Sequence, residues 1–256
     1  MTKRIVVISD TQIPFDDRKA MAKVIEFIGD YQPDEVIHIG DLMDFPSPSR
    51  WTKGSALEFQ QRIKPDSEQA KTRLLSPLRA VFEGPIKVHE GNHDRRPFDY
   101  LEKYAPALVE FADQFKMEAL LDFDGFGIEV LPEFNKIAPG WVTTHGHRGG
   151  IRLTQKAGDT ALNAAIRFNT SVVMGHTHRL ALKPESKGYG GDITKSLWGM
   201  EVGNLMSMKM ATYLQGGTAN WQQGFGILTI DGNHVKPEII PIEHGKFMVD
   251  GYTWKV

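Results

Sequence analysis

The sequence has no cysteine. That excludes disulfides, thiolate metal sites and cysteine nucleophiles, so any metal must be held by His, Asn, Gln or carboxylate side chains. Long apolar runs are also missing. The amino-terminal stretch from Ile5 to Ile8 is too short for a signal peptide or a membrane span, and the expected location is cytoplasmic. No charge excess stands out either: 30 Lys and Arg face 32 Asp and Glu, for a formal net charge of -2. A near-neutral chain without a contiguous basic stripe gives no electrostatic reason to expect nucleic acid as a partner. Linkers, low-complexity tracts and internal repeats are absent. At 256 residues, with 41% hydrophobic and 24% charged residues, the chain is expected to form one globular domain over residues 1–256.

What the chain does have is a series of short β-branched runs that each end in metal-ligand chemistry. Ile5 to Ile8 leads into Ser9-Asp10-Thr11-Gln12, and Glu35 to Ile39 into Gly40-Asp41-Leu42-Met43-Asp44. Ile86 to His89 leads into Gly91-Asn92-His93-Asp94, Trp141 to Thr143 into Thr144-His145-Gly146-His147, and Ser171 to Met174 into Gly175-His176-Thr177-His178. Continuous apolar runs of this length are strands buried on both faces, and α/β sheets gather their ligands at the carboxyl ends of such strands.

Between them, residues 17–30 carry apolar residues at helical spacing. Residues 56–82 read as two or three helical pieces broken at Pro65 and Pro77, and residues 98–121 as helix interrupted at Pro106. After Asp124-Gly125, Ile128 to Leu131 and Trp141 to Thr144 are expected to open a second sheet, followed by a helix over 153–168. Residues 185–192 and 203–224 read as loops, and Phe225 to Ile230 with Val235 to Ile240 as a closing hairpin turned by Asp231-Gly232-Asn233. Trp51, in a Pro- and Ser-rich loop, is placed either to stack on a substrate ring or to pack that loop down.

A carboxylate between two divalent cations about 3.5–4 Å apart ligates both, and cations of this kind lower the pKa of bound water from 15.7 towards ~7. Asp41 is the expected bridge. The other ligands divide into an oxygen-rich site with Asp10 and His178, and a site with Asn92, His145 and His176.

Together the five blocks resemble the signature blocks of the calcineurin-like metallophosphoesterase superfamily: Asp-x-His, Gly-Asp-x-x-Asp, Gly-Asn-His-Asp/Glu, a His-Gly block and Gly-His-x-His. They span residues 9–178, about two thirds of the chain. The resemblance implies a four-layer α/β/β/α sandwich of two mixed sheets flanked by helices, a dinuclear centre of Mn, Fe, Zn or related ions, and hydrolysis of phosphate esters. It assigns Asp10, Asp41 and His178 to the first metal, and Asp41, Asn92, His145 and His176 to the second. His93 becomes the acid that protonates the leaving oxygen, and Asp44 the residue that orients it. The run through Gly203-Asn204-Leu205 and Asn220 to Phe225 is similar to phosphoesterases of actinobacterial phages.

Gln12 departs from the family pattern by standing where a His is usual. A carbonyl oxygen there replaces an imidazole, so a weaker first site favouring Mn²⁺ is expected. Phe45-Pro46 follows the second block where the protein-phosphatase branch has Arg-Gly, and the third block ends in Asp94 in place of Glu. Both differences are similar to the phosphodiesterase-like branch, with a nucleotide-like diester such as a 2′,3′-cyclic nucleotide as the expected substrate. A phosphomonoesterase, a nuclease and a non-catalytic interaction module on the same fold are the alternatives. Arg95, Arg96 and Arg148, placed directly after the blocks, are candidates to bind phosphate oxygens.

Overall fold

A computed structural model describes residues 2–210 and 217–256. The buried β-branched runs become the centre of a six-stranded sheet. Strands β1 (Lys3–Ile8), β2 (Glu35–His38), β3 (Ile86–His89) and β4 (Ile128–Leu131) lie side by side in parallel. On the other flank of β1, β10 (Gly224–Asp231) and β11 (His234–Pro241) add antiparallel, in the order β11-β10-β1-β2-β3-β4. A five-stranded sheet is built from β5 (Asn135–Ala138), β6 (Trp141–Thr144), β7 (Ser171–Met174), β8 (Leu180–Tyr189) and β9 (Asp192–Val202). Its order is β5-β6-β7-β9-β8, with β6, β7 and β9 parallel.

Strand alternation stacks these sheets. Along β1, Val6 and Ile8 join a core formed with helix α1 (Arg18–Tyr31), whereas Ile5 and Val7 join a second core with Val173, Met200 and Val202 of the other sheet. A third core, with Ala161, Ala165, Val172 and Met174, lies between the five-stranded sheet and helix α4 (Asp159–Phe168). Helix, sheet, sheet and helix are therefore the four layers, each held by burial of one face of its neighbour. The Asp17 carboxylate caps α1 by accepting from Ala20 N at 3.2 Å. A short hairpin of β12 (Lys246–Val249) and β13 (Tyr252–Lys255) brings Phe247 and Trp254 against Phe27 of α1.

Several elements differ from the sequence expectation for local physical reasons. Residues 56–62 are turns, and the helix begins at α2 (Ile63–Ala70). Pro65 falls in its first turn, where the missing N–H has no intrahelical partner to lose. Pro77 does not break the run. The chain widens to a π-turn over Lys71–Leu75, in which Ser76 N bonds Lys71 O, and continues as α3 (Ser76–Val81). Ile128 to Leu131 belongs to the first sheet and not the second, because it pairs with β3. The helix expected over 153–168 starts only at Asp159, since Gly158 has φ +83° and stops it from extending backwards. Residues 185–192 form no loop but the tip of the long β8–β9 hairpin, whose exposed edge carries polar residues on both faces. Of the expected loop over 203–224, residues 211–216 lie outside the described residues. No helix among the described residues is long and apolar enough to cross a membrane.

Candidate metal centre

Three parallel strands of the first sheet and two of the second end where the five blocks come together. Asp10 follows β1, Asp41 follows β2, Asn92 and His93 follow β3, His145 follows β6, and His176 and His178 follow β7. The chain turns sharply at these points: Asp10, Gln12, Asp41, His176 and His178 have φ of 49°, 45°, 50°, 66° and 57°. Non-glycine residues held in this region cost on the order of 1–3 kcal/mol each, and such strain concentrates at functional sites. Glycine is required where the loops touch. A Cβ on Gly91 would overlap Asp41 Oδ1 and the Asp41 backbone nitrogen, and one on Gly175 would overlap Ser9 Oγ. Gly91→Ala is accordingly expected to displace the Asp41 carboxylate and lower the bound metal per chain, measured by elemental analysis, while leaving the far-ultraviolet circular dichroism unchanged.

The ligand atoms form two clusters that share Asp41: Asp10, Asp41 and His178 in one, and Asp41, His145 and His176 in the other, each within 4.8 Å. The two carboxylate oxygens of Asp41 face opposite ways. Oδ1 lies 3.4 Å from His145 Nε2, and Oδ2 lies 3.4 Å from the Gln12 amide nitrogen. Asn92 Oδ1 completes the second cluster, 3.2 Å from His145 Nε2. His145 donates its Nδ1–H to Ile39 O at 2.7 Å, which fixes the ring and directs Nε2 into the cluster. In the first cluster Asp10 Oδ2 accepts from Ser9 Oγ at 2.5 Å and from His176 N at 3.0 Å; Oδ1 is buried, without a hydrogen-bond partner among the described residues, and 3.2 Å from His178 Nε2.

The Gln12 amide is turned into this cluster, with its nitrogen 3.0 Å from His178 Nε2 and its oxygen buried and, among the described residues, unpartnered. A half-turn of the amide exchanges the two atoms and presents a carbonyl oxygen to His178 Nε2 and Asp41 Oδ2. Orphaned hard oxygens next to imidazole nitrogens are a donor set suited to divalent Mn, Fe or Zn, and the residues present fit a pair of such ions.

Beside the clusters, His93 Nδ1 lies 2.7 Å from Asp44 Oδ1, its backbone N–H donates to Asp41 Oδ1 at 2.9 Å, and its Nε2 is 3.1 Å from Arg96 Nη2. Arg96 also donates to Asp44 O at 2.6 Å. Asp94 has a role that the sequence pattern did not reveal. It is fully buried and clamps two blocks together, accepting from Met43 N at 2.8 Å and Gly91 N at 2.7 Å. Trp221 packs its ring against His178 with centroids 4.4 Å apart; its Gly-, Asn- and Gln-rich surroundings carry no periodicity that could have flagged it. His38 and His89 are buried strand residues paired with Thr11 and Thr143.

The arginines separate. Arg96 reaches His93, whereas Arg95 is held by Glu90 and Asp99 at 3.1 Å each, and Arg148 lies half exposed, 3.7 Å from Glu133. Trp51 is 77% exposed, with the Arg50 guanidinium over its ring, so it neither packs the loop down nor enters the centre.

Burial disfavours charge throughout the centre, and neighbouring charges decide the outcome. Burial alone would lower the His145 pKa, but the adjacent Asp41 and Asp10 carboxylates push it up to about 10, while Asp41 falls well below the ordinary carboxylate range. In the metal-free protein this raised pKa contributes stability that is complete below the unfolded imidazole pKa of ~6.5 and is lost as pH rises through about 10. A cation bound at His145 Nε2 must displace the proton there. Metal loading at pH 8 is expected to release about one proton from His145, read by titration calorimetry in two buffers of different ionisation enthalpy; identical heats would contradict it. Burial likewise lowers His176 to about 4, so that imidazole is neutral and ready to ligate.

A shared carboxylate between two imidazole-bearing clusters, at the strand ends of a four-layer sandwich, defines a metallophosphoesterase. Residues 3–180 match the family model for calcineurin-like phosphoesterases, and the chain belongs to that family, whose members use divalent metals. It is 73% identical to the Gene 54 protein of Mycobacterium phage D29 and 69% identical to the Gene 54 protein of Mycobacterium phage L5, in both cases over all 256 residues and the whole of the relative. These relatives agree with the phage resemblance of the sequence. Among solved structures, Vacuolar Protein Sorting 29 of Cryptosporidium parvum covers 100% of this chain and 99% of its own, with a TM-score of 0.51 and 15% identity, a likeness of fold.

Proposed function

We propose that this chain is a phosphodiesterase that hydrolyses a nucleotide-like diester, such as a 2′,3′-cyclic nucleotide, at a two-metal centre favouring Mn²⁺. The observation that carries the reading is the His93–Asp44 pair set directly beside the shared Asp41. Two divalent cations held by Asp10, Gln12, Asp41, Asn92, His145, His176 and His178 would supply Lewis acidity and an attacking water of lowered pKa.

The protein's own groups do the rest. A diester leaves as a basic alkoxide, so it needs an acid at the leaving oxygen. His93 meets that need with Nε2, because its Nδ1 is committed to Asp44. Burial opposes charge on the His93 ring, but Asp41 and the Asp44 hydrogen bond raise its pKa above the ordinary value and so favour the protonated form. Arg96 donates towards Nε2 when no ester is bound; an anionic ester that takes over this guanidinium leaves Nε2 free to carry the proton.

The test compares bis-p-nitrophenyl phosphate with p-nitrophenyl phosphate in the presence of Mn²⁺. A strong preference for the monoester would sink the diester reading in favour of a phosphomonoesterase. A non-catalytic module is the second reading, favoured by Gln12 alone; it predicts that neither ester is turned over. Because Gln12 supplies an amide where an imidazole binds more tightly, Gln12→His is expected to tighten the first cation. An unchanged metal titration and unchanged metal preference in that variant would show that Gln12 does not weaken the site.

A further inference from the structure

We propose that His147 binds a non-bridging phosphate oxygen of the substrate on the side of the centre formed by His145 and His176. The inference rests on the phosphoester reading above and goes beyond it, since neither the ligand clusters nor the His93 pair involves His147. Both ring nitrogens of His147 are shielded from solvent, and neither has a hydrogen-bond partner among the described residues. A buried polar atom left in this way is rare and calls for an absent group to complete it. The ring lies tilted against the centre, with centroids 5.1 Å from His145 and 6.3 Å from His176. Yet it belongs to neither cluster of candidate ligand atoms, although Asp41, His145 and His176 lie within 4.8 Å of one another.

Its position is built by the fold. Gly146 has φ +102°, a conformation that turns the chain between the two histidines, and a Cβ there would overlap the Met174 side chain of β7. His147 is thus fixed just outside the ligand cluster, with a ring that in its neutral form presents one N–H donor and one acceptor. An anionic tetrahedral oxygen beside the cations is the chemistry that satisfies the donor, and an ordered water the acceptor.

The experiment uses the full chain loaded with Mn²⁺ and inorganic phosphate as the probe, read by titration calorimetry. His147→Ala is expected to weaken phosphate binding about tenfold, the equivalent of one charge-assisted hydrogen bond, with the bound Mn²⁺ per chain and the melting temperature unchanged. His147→Asn, which keeps an N–H donor, is expected to recover part of the affinity. With bis-p-nitrophenyl phosphate the alanine variant should raise KM more than it lowers kcat.

Loss of Mn²⁺ from either variant would overturn the proposal by making His147 a metal ligand. Unchanged phosphate affinity would overturn it, as would a wild-type protein that holds Mn²⁺ but takes no phosphate. If wild type hydrolyses neither ester while His147→Ala still weakens phosphate, the catalytic reading fails and this one stands; if wild type cleaves the diester and His147→Ala matches it, only this one fails.

Discussion

His93→Ala is expected to slow hydrolysis of a diester with an alkoxide leaving group by about 10²- to 10⁴-fold, the range that a positioned general acid contributes. The reason lies in the leaving oxygen. An alkoxide cannot depart without a proton, and Nε2 of His93 is the candidate donor beside the shared carboxylate. With bis-p-nitrophenyl phosphate the departing phenolate is already a stabilised anion, so the loss should be far smaller. Equal losses on both substrates would contradict an acid role and make His93 a structural prop for Asp41. Asp44→Asn separates the two further. Its carboxylate accepts from His93 and raises the pKa of the ring. Without that charge the pKa falls, the protonated form is lost at lower pH, and the alkaline limb of the rate profile should move to lower pH. A limb that stays in place would exclude His93 as the titrating acid.

The second large effect is expected at Asp41. Asp41→Asn removes the side chain that, among the described residues, is common to both clusters. An amide oxygen can face one side, but it carries no charge to offset the repulsion between two cations. Bound metal should fall from two ions towards one, and turnover by more than about 10²-fold, the lower end of what a single preorganised electrostatic group contributes. Elemental analysis and steady-state kinetics on the same preparation check it; retention of both ions would show that Asp41 is no bridge. The metal-free variant gives an independent reading. Asp41 is a main reason why His145 is pushed up to about 10, so its loss should bring that imidazole down and abolish the proton release on metal loading.

The candidate ligand residues were legible because a continuous β-branched run followed by Asp, Asn or His has few other uses. Asp10, Asp41, Asn92, His145 and His176 each stand just beyond such a run, and parallel pairing within each sheet places its own such ends on one side. The flanking order was less legible. Nothing local in Ile128 to Leu131 states that it pairs with β3, since pairing between distant strands is settled by packing. The β8–β9 hairpin was hidden by Gly188, Gly190 and Gly191, which mark its tip but read as loop, and by polar residues on an edge with little to bury. Asp94 was visible as part of its block, but its task of joining Gly91 to Met43 depends on a loop approach that sequence spacing does not encode. Prolines misled most at residue 77, where a π-turn absorbed the break.

The parentage of the ligands has a mechanical consequence. Asp10, Asp41 and Asn92 hang from one sheet, and His145, His176 and His178 from the other. Cations held between them would fasten the two halves of the sandwich at one rim, much as a clasp closes a locket. Chelation should therefore loosen the molecule from that rim inward, so that hydrogen exchange quickens first in the loops after β6 and β7 while the far ends of the same strands stay protected.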